Sequence, residues 1–182
     1  TAANTYTGTT TVSDGVLQIG NGSTSGSLSS SSAVSIASGA TLRYFRSDTS
    51  NTLGNSFSGA GELHLKGTND GISNGQSLYT LTGNSTGFTG TFTIDAAAMN
   101  ASSQANVGNT AATVNVLDKG MLQLLSNGTQ TLANRIRLTG TGWANSNGVH
   151  GALFADAGGA WTVNGNITLT GNARISGWQN WA

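Results

Sequence analysis

Seven carboxylates and two histidines are the residues of this chain best able to move a proton or hold a metal, and their spacing does not assemble an obvious reaction centre. The acids are Asp14, Asp48, Glu62, Asp70, Asp95, Asp118 and Asp156. Glycoside hydrolysis needs two facing carboxyl groups, about 5 to 9.5 Å apart. Asp14, Asp70 and Asp118 instead stand in Asp-Gly or Asp-Lys-Gly turns, where a short carboxylate bonds its own backbone. His64 alternates with Leu63 and Leu65, which predicts an outward strand residue, and His150 follows Gly148 in a loop. Neither is expected to have a nearby acid or second histidine that would make a metal site. The serines lack an activating base. Ala157-Gly158-Gly159-Ala160 lacks the Asp and the ninefold period of a calcium-binding repeat. No catalytic residue, metal or cofactor follows from these patterns, and the chain reads as a non-enzyme.

The best place for a binding contact is the loop Gly142-Trp143-Ala144-Asn145-Ser146-Asn147-Gly148. An exposed Trp143 could stack on a sugar ring, and Asn145 and Asn147 are the loop's other candidate binding residues. Trp161, Trp178 and Trp181 fall in the same final quarter, where covering the core is the plainer role.

Positioning any of these groups falls to short β-strands. The 182 residues are 36% hydrophobic and only 8% charged, with zero formal net charge, 27 Gly, no Pro and no Cys. Zero net charge disfavours disorder, and the few scattered Lys and Arg, paired weakly at Arg43/Arg46 and Arg135/Arg137, disfavour nucleic acid as a partner. Without Cys there is neither disulfide nor thiolate site. No apolar run approaches the length of a membrane span, so no membrane insertion of this segment is expected.

Alternation of apolar and polar residues predicts strands at Thr11-Val12 leading to Val16–Ile19, Ala33–Ile36, Thr41–Phe45, Glu62–Leu65, Thr91–Ile94, Thr113–Val116, Met121–Leu124, Arg135–Leu138, Trp161–Val163 and Asn166–Leu169. Gly- and Asn-rich turns separate them. Asp95–Asn100 alone carries a helical option, which the repeat argues against. At an offset of about 80 the chain matches itself: Tyr6–Val12 falls on Phe88–Ile94, and Val34–Leu42 on Val114–Leu122. The internal repeat covers about 1–80 and 83–160, inside a single β-helical segment 1–182 that reads as a fragment of something larger.

Such self-similarity marks a solenoid. The fold expected is all-β, a right-handed parallel β-helix of roughly seven to nine coils of about 20 residues each, some 35 to 45 Å long at the strand spacing of about 4.8 Å. An antiparallel sandwich is the rival, and needs no 80-residue repeat.

Asn4-Thr5-Tyr6-Thr7-Gly8-Thr9-Thr10-Thr11-Val12-Ser13-Asp14-Gly15-Val16-Leu17-Gln18-Ile19-Gly20 resembles the autotransporter-associated β-strand repeat of bacterial type V secretion. Gly87–Ile94 keeps part of it, with Ala97-Ala98-Met99 in place of Gly-Val-Leu. The resemblance implies a β-helical passenger that is exported to the cell surface or beyond through an outer-membrane barrel and serves adhesion, aggregation or biofilm formation. Its partners would be host-cell, bacterial-cell or glycan ligands, with possible self-association. A carbohydrate-processing β-helix (lyase or glycosidase) and an ice-binding solenoid built on Thr9–Thr11, Thr80–Thr82 and Thr91–Thr93 are the alternatives.

Overall fold

Every long-range strand pair in the computed structural model is parallel, and strands return to the same three sides about every third strand. The structure describes residues 3–68, 77–125, 128–145, 148–157 and 159–177, with backbone alone at 144, 145, 148 and 149. The longest sheet stacks seven strands in chain order: Val16–Ser23, Thr41–Arg46, Glu62–Lys66, Thr91–Asp95, Thr113–Val116, Arg135–Gly140 and Ile167–Ala173. A preceding side holds Thr10–Val12, Val34–Ile36, Phe57–Gly59 and Gly87–Phe88, then, after the 3-10 turn Gln104–Val107, the pair Thr129–Leu132 and Ala160–Val163. The third side holds Asn51–Leu53, Leu78–Leu81, Ala98–Ala101, Met121–Leu124, Leu153–Ala155 and Ile175–Gly177. This is a parallel β-helix.

Seven coils place the molecule at the lower end of the expected range, because a coil is longer than 20 residues. Along one inward column Leu17 is in register with Leu42, Leu42 with Leu63, Leu63 with Phe92, Phe92 with Val114, Val114 with Ile136 and Ile136 with Ile167. Those steps run from 21 to 31 residues, and the surplus lies at the corners rather than in the strands. Six strand spacings of about 4.8 Å give a stack roughly 29 Å long.

Period-2 alternation builds the core directly. Leu42, Leu63, Phe92, Val114 and Ile136 are fully buried in one column, and Tyr44, Leu65, Ile94, Val116 and Leu138 in the next. No coil could bury its own row; each is covered by the coils above and below. Ala98–Ala101, where a helix was an option, is a strand buried at every position.

Corners stack as tightly as strands. A Cβ on Gly90 would lie 1.9 Å from the carbonyl oxygen of Gly61 beneath it, so only glycine fits. In the Asp118-Lys119-Gly120 turn the left-handed residue is Lys119, at φ 63°; Gly120 is required instead by closeness, since a Cβ there would meet the Ile94 oxygen at 2.5 Å. Buried asparagines tie coils together where ladders break. Asn134 Nδ2 donates to the carbonyls of Val107 (3.2 Å), Asn109 (2.8 Å) and Ala112 (3.2 Å), and its Oδ1 accepts from Gln104 Nε2 (2.7 Å).

The 80-residue self-match lands one side further round the helix. Val12 and Val34–Ile36 lie on the first side, while their counterparts Ile94 and Val114–Val116 lie on the long sheet. Leu42, on the long sheet, corresponds to Leu122 on the third.

Candidate functional site

The outer face of the long sheet gathers Arg43, Glu62, His64, Lys66, Asp95, Arg135 and Arg137 into three rows that run across the coils. Register places Thr41, Glu62, Thr91, Thr113 and Arg135 in one row, and Gln18, Arg43, His64, Thr93, Asn115, Arg137 and Thr168 in the next. Phe45, Lys66 and Asp95 form a third, shorter row. Residues two apart on a strand share a face, and parallel registry sets their neighbours about one strand spacing away.

Here one expectation is corrected. His64 is an outward strand residue, but it does have an acid beside it: its Nε2 lies 3.3 Å from Asp95 Oδ2 on the next coil. Arg43 Nε donates to His64 Nδ1 at 3.3 Å from the coil on the other side. A guanidinium can only donate, so Nδ1 is the acceptor and Nε2 carries the hydrogen that Asp95 receives. Both ring nitrogens are thereby engaged. Lys66 Nζ donates to the same Asp95 oxygen at 2.6 Å while sitting 5.6 Å above the Phe45 ring. Burial pushes the Asp95 carboxyl up, but the Lys66 bond and charge, helped by His64, outweigh it and hold the group below the usual carboxylate range.

Glu62 stands in the first row between Thr41 and Thr91. Thr93 Oγ1 donates to its Oε1 at 2.6 Å and Thr41 Oγ1 to its Oε2 at 3.1 Å, so both carboxylate oxygens are held by hydroxyls from flanking coils. It opens into a shallow depression of about 370 Å³ shared with Thr91 and Asn115 and walled by the corners at Gly39–Ala40 and Ala60–Gly61. A smaller hollow, about 170 Å³, continues along the same rows, lined by Thr113, Arg135, Arg137, Asn166 and Thr168. Arg135 and Arg137 are both exposed.

Arg46, by contrast, is structural. It grips Asp48 with Nε (2.9 Å) and Nη2 (2.6 Å) and reaches the carbonyls of Thr24 and Gly26, stapling the first corner to the second coil. Burial raises the Asp48 carboxyl, yet its bonds from Arg46 and Asn51 bring it below its ordinary value. Among the turn acids, Asp14 Oδ1 accepts from the Gly15 amide at 2.7 Å; Asp70 lies outside the described residues.

The Trp143 loop sits elsewhere, at the corner after Arg135–Gly140. Trp143 is half-buried against a satellite cluster of Ala98, Met121 and Phe154. Its ring centre is 5.1 Å from His150, which in turn meets Phe154 edge-on at 4.5 Å. Burial lowers the His150 pKa, with Asp156 opposing. Asn145 belongs to the two-residue antiparallel pair Ala144–Asn145 with Gly148–Val149, and its side chain and the whole of Asn147 lie outside the described residues. Trp161 covers the core and donates Nε1–H to the Leu125 carbonyl at 2.9 Å; Trp178 and Trp181 lie outside the described residues.

The three Thr runs fall on three different sides: Thr9–Thr11 on the first, Thr91–Thr93 on the long sheet, Thr80–Thr82 on the third. No metal-capable group of three or more His, Asp or Glu occurs among the described residues, and none of their helices is long and apolar enough to cross a membrane. Compared with known proteins, the chain matches no family model, no curated protein and no solved structure.

Proposed function

We propose that this chain is a rigid structural and adhesive segment of a passenger of the autotransporter type, displayed on a bacterial surface or secreted, that binds host-cell, bacterial-cell or glycan surfaces without turnover. The observation that supports it most is the outer face of the long sheet, where polar side chains recur at the strand spacing over seven coils. Contacts that are weak singly then add along the axis by multivalency. The pattern at residues 4–20 gives the secretion part of the reading. Nucleic acid and lipid bilayer are not the partners proposed.

One observation favours a second reading, carbohydrate processing: the Glu62 carboxylate opens into the larger depression beside the His64–Asp95 pair. A single experiment separates the two. Purified protein is presented to bacterial cells, matrix proteins and glycans, and soluble sugar products are assayed in the same wells. The adhesive reading expects saturable capture with no product. Product release that Glu62→Gln abolishes would replace it with the enzymatic reading, and absence of both capture and product would refute both.

A further inference from the structure

Toward one end of the long sheet's rows stand two cations that no carboxylate neutralises among the described residues. Arg135 and Arg137 occupy adjacent outward positions of one strand, with only the buried Ile136 between them. Neither meets a carboxylate among the described residues: the ion pairs there are Arg46–Asp48 and Lys66–Asp95. One contact of Arg135 is a long bond from Nη2 to the Ala111 carbonyl, at 3.4 Å. Two like charges on one strand face repel each other, and an anion lying between them relieves that repulsion while using the forked donors of both guanidiniums.

The hollow they line continues the rows that pass Thr113, Asn115, Thr91 and Glu62. From Arg135 to Glu62 is three strand spacings, roughly 14 Å. A ligand following those rows meets two guanidiniums at one end, amide and hydroxyl groups in the middle, and a carboxylate acceptor at the other end. We infer that the outer face of the long sheet binds an extended acidic glycan along the coil axis, its carboxylate or sulfate on Arg135 and Arg137 and its neutral hydroxyls on Asn115, Thr91 and Glu62. This inference rests on the adhesive reading above and gives it a ligand class and a place.

A nucleic acid fits the same face poorly. It carries a phosphate at every nucleotide, which would set negative charge against Glu62 and Asp95. Single strands also bind by stacking on aromatic rings. In the three outward rows the aromatic ring is Phe45, and Lys66 already covers it.

The test uses the full chain with four probes: a neutral oligosaccharide ending in a single uronate, the same oligosaccharide ending in a single sulfate, the methyl ester of the uronate probe, and an oligothymidylate of similar length. Binding is followed by titration calorimetry, at low and raised salt. Saturable binding of the first or the second probe is expected, identifying carboxylate or sulfate as the preferred anion. The Arg135→Ala/Arg137→Ala variant should bind at least tenfold more weakly, and the Lys/Lys variant should recover part of the loss. The methyl ester should bind as weakly as the Ala/Ala variant does the acid. Circular dichroism of each variant checks the fold, which these two exposed side chains do not support. Three results would overturn the inference: no saturable binding of either acidic glycan, unchanged binding by the Ala/Ala variant, or oligothymidylate binding as tight as the glycans. If cells are still captured while the acidic glycans fail, the adhesive reading survives and this assignment alone is lost.

Discussion

The fourth coil and the last coil are written in the same alternating code and end in opposite states. Phe92, Ile94 and Met99 of the fourth are fully buried, whereas Ile167, Leu169 and Ile175, which continue the same inward columns, are 40%, 61% and 45% exposed. Strand length does not explain this, since Ile167–Ala173 is longer than Thr91–Asp95. Among the described residues, which end at 177, the difference is a covering neighbour. Inward residues of a solenoid coil face sideways into the core and along the axis to the next coil, so burial is a property of the stack rather than of the strand.

Truncating a side chain in each coil should show the largest contrast. Phe92→Ala removes a ring packed against Phe88 at 4.7 Å and should cost about 3 to 5 kcal/mol. Leu169→Ala should cost about 0.5 kcal/mol or less, because solvent already reaches that position. Chemical denaturation of the two variants measures both, and equal losses would mean that the last coil is covered in solution.

A smaller effect is expected at the corner joining the fifth coil to the sixth, where the stack is held by hydrogen bonds. Asn134→Ala leaves the carbonyls of Val107, Asn109 and Ala112 without their shared donor inside the protein. The expected loss is about 1 to 3 kcal/mol. Hydrogen exchange should then rise locally around residues 104–112 and not in the fourth coil's strands.

The smallest effect concerns the charged row. Lys66→Met should reduce stability by no more than about 1 kcal/mol, since the pair is partly solvated. Its pH dependence carries the information. The folded Asp95 carboxyl is held below its unfolded value, so the stabilisation is present above about pH 4 and fades as pH falls through the depressed folded value. Denaturation midpoints of wild type and Lys66→Met should therefore converge toward acid; a gap that stayed constant to pH 2 would show that Lys66 acts through its stem over Phe45 rather than its charge.

Period-2 alternation and turn residues made much of this fold legible. Every strand expected from that signal is present, and no Pro interrupts a ladder. Strands whose letters do not alternate apolar with polar escaped it: Asn51–Leu53 carries a buried Asn at an inward position, and Ala98–Ala101 is apolar at three of four positions because both its faces are covered. The partnership of His64 with Asp95 was hidden for another reason. Those residues are 31 apart, and which outward residues meet depends on coil lengths that vary from 21 to 31 with the corners, so no fixed period brings them together. The same variation concealed how Thr93 and Thr41 converge on Glu62 from two sides.

Parallel stacking also decides how the molecule yields to force. The hydrogen bonds between coils point along the axis, so a pull applied between the first and last strands loads them end to end and peels one coil at a time instead of shearing a whole sheet at once. Each coil that lets go adds its 21 to 31 residues of slack, about 70 to 110 Å of extended chain. A tether built this way lengthens stepwise under drag and keeps its remaining coils folded, so peak tension at an attached end stays near the strength of one inter-coil ladder.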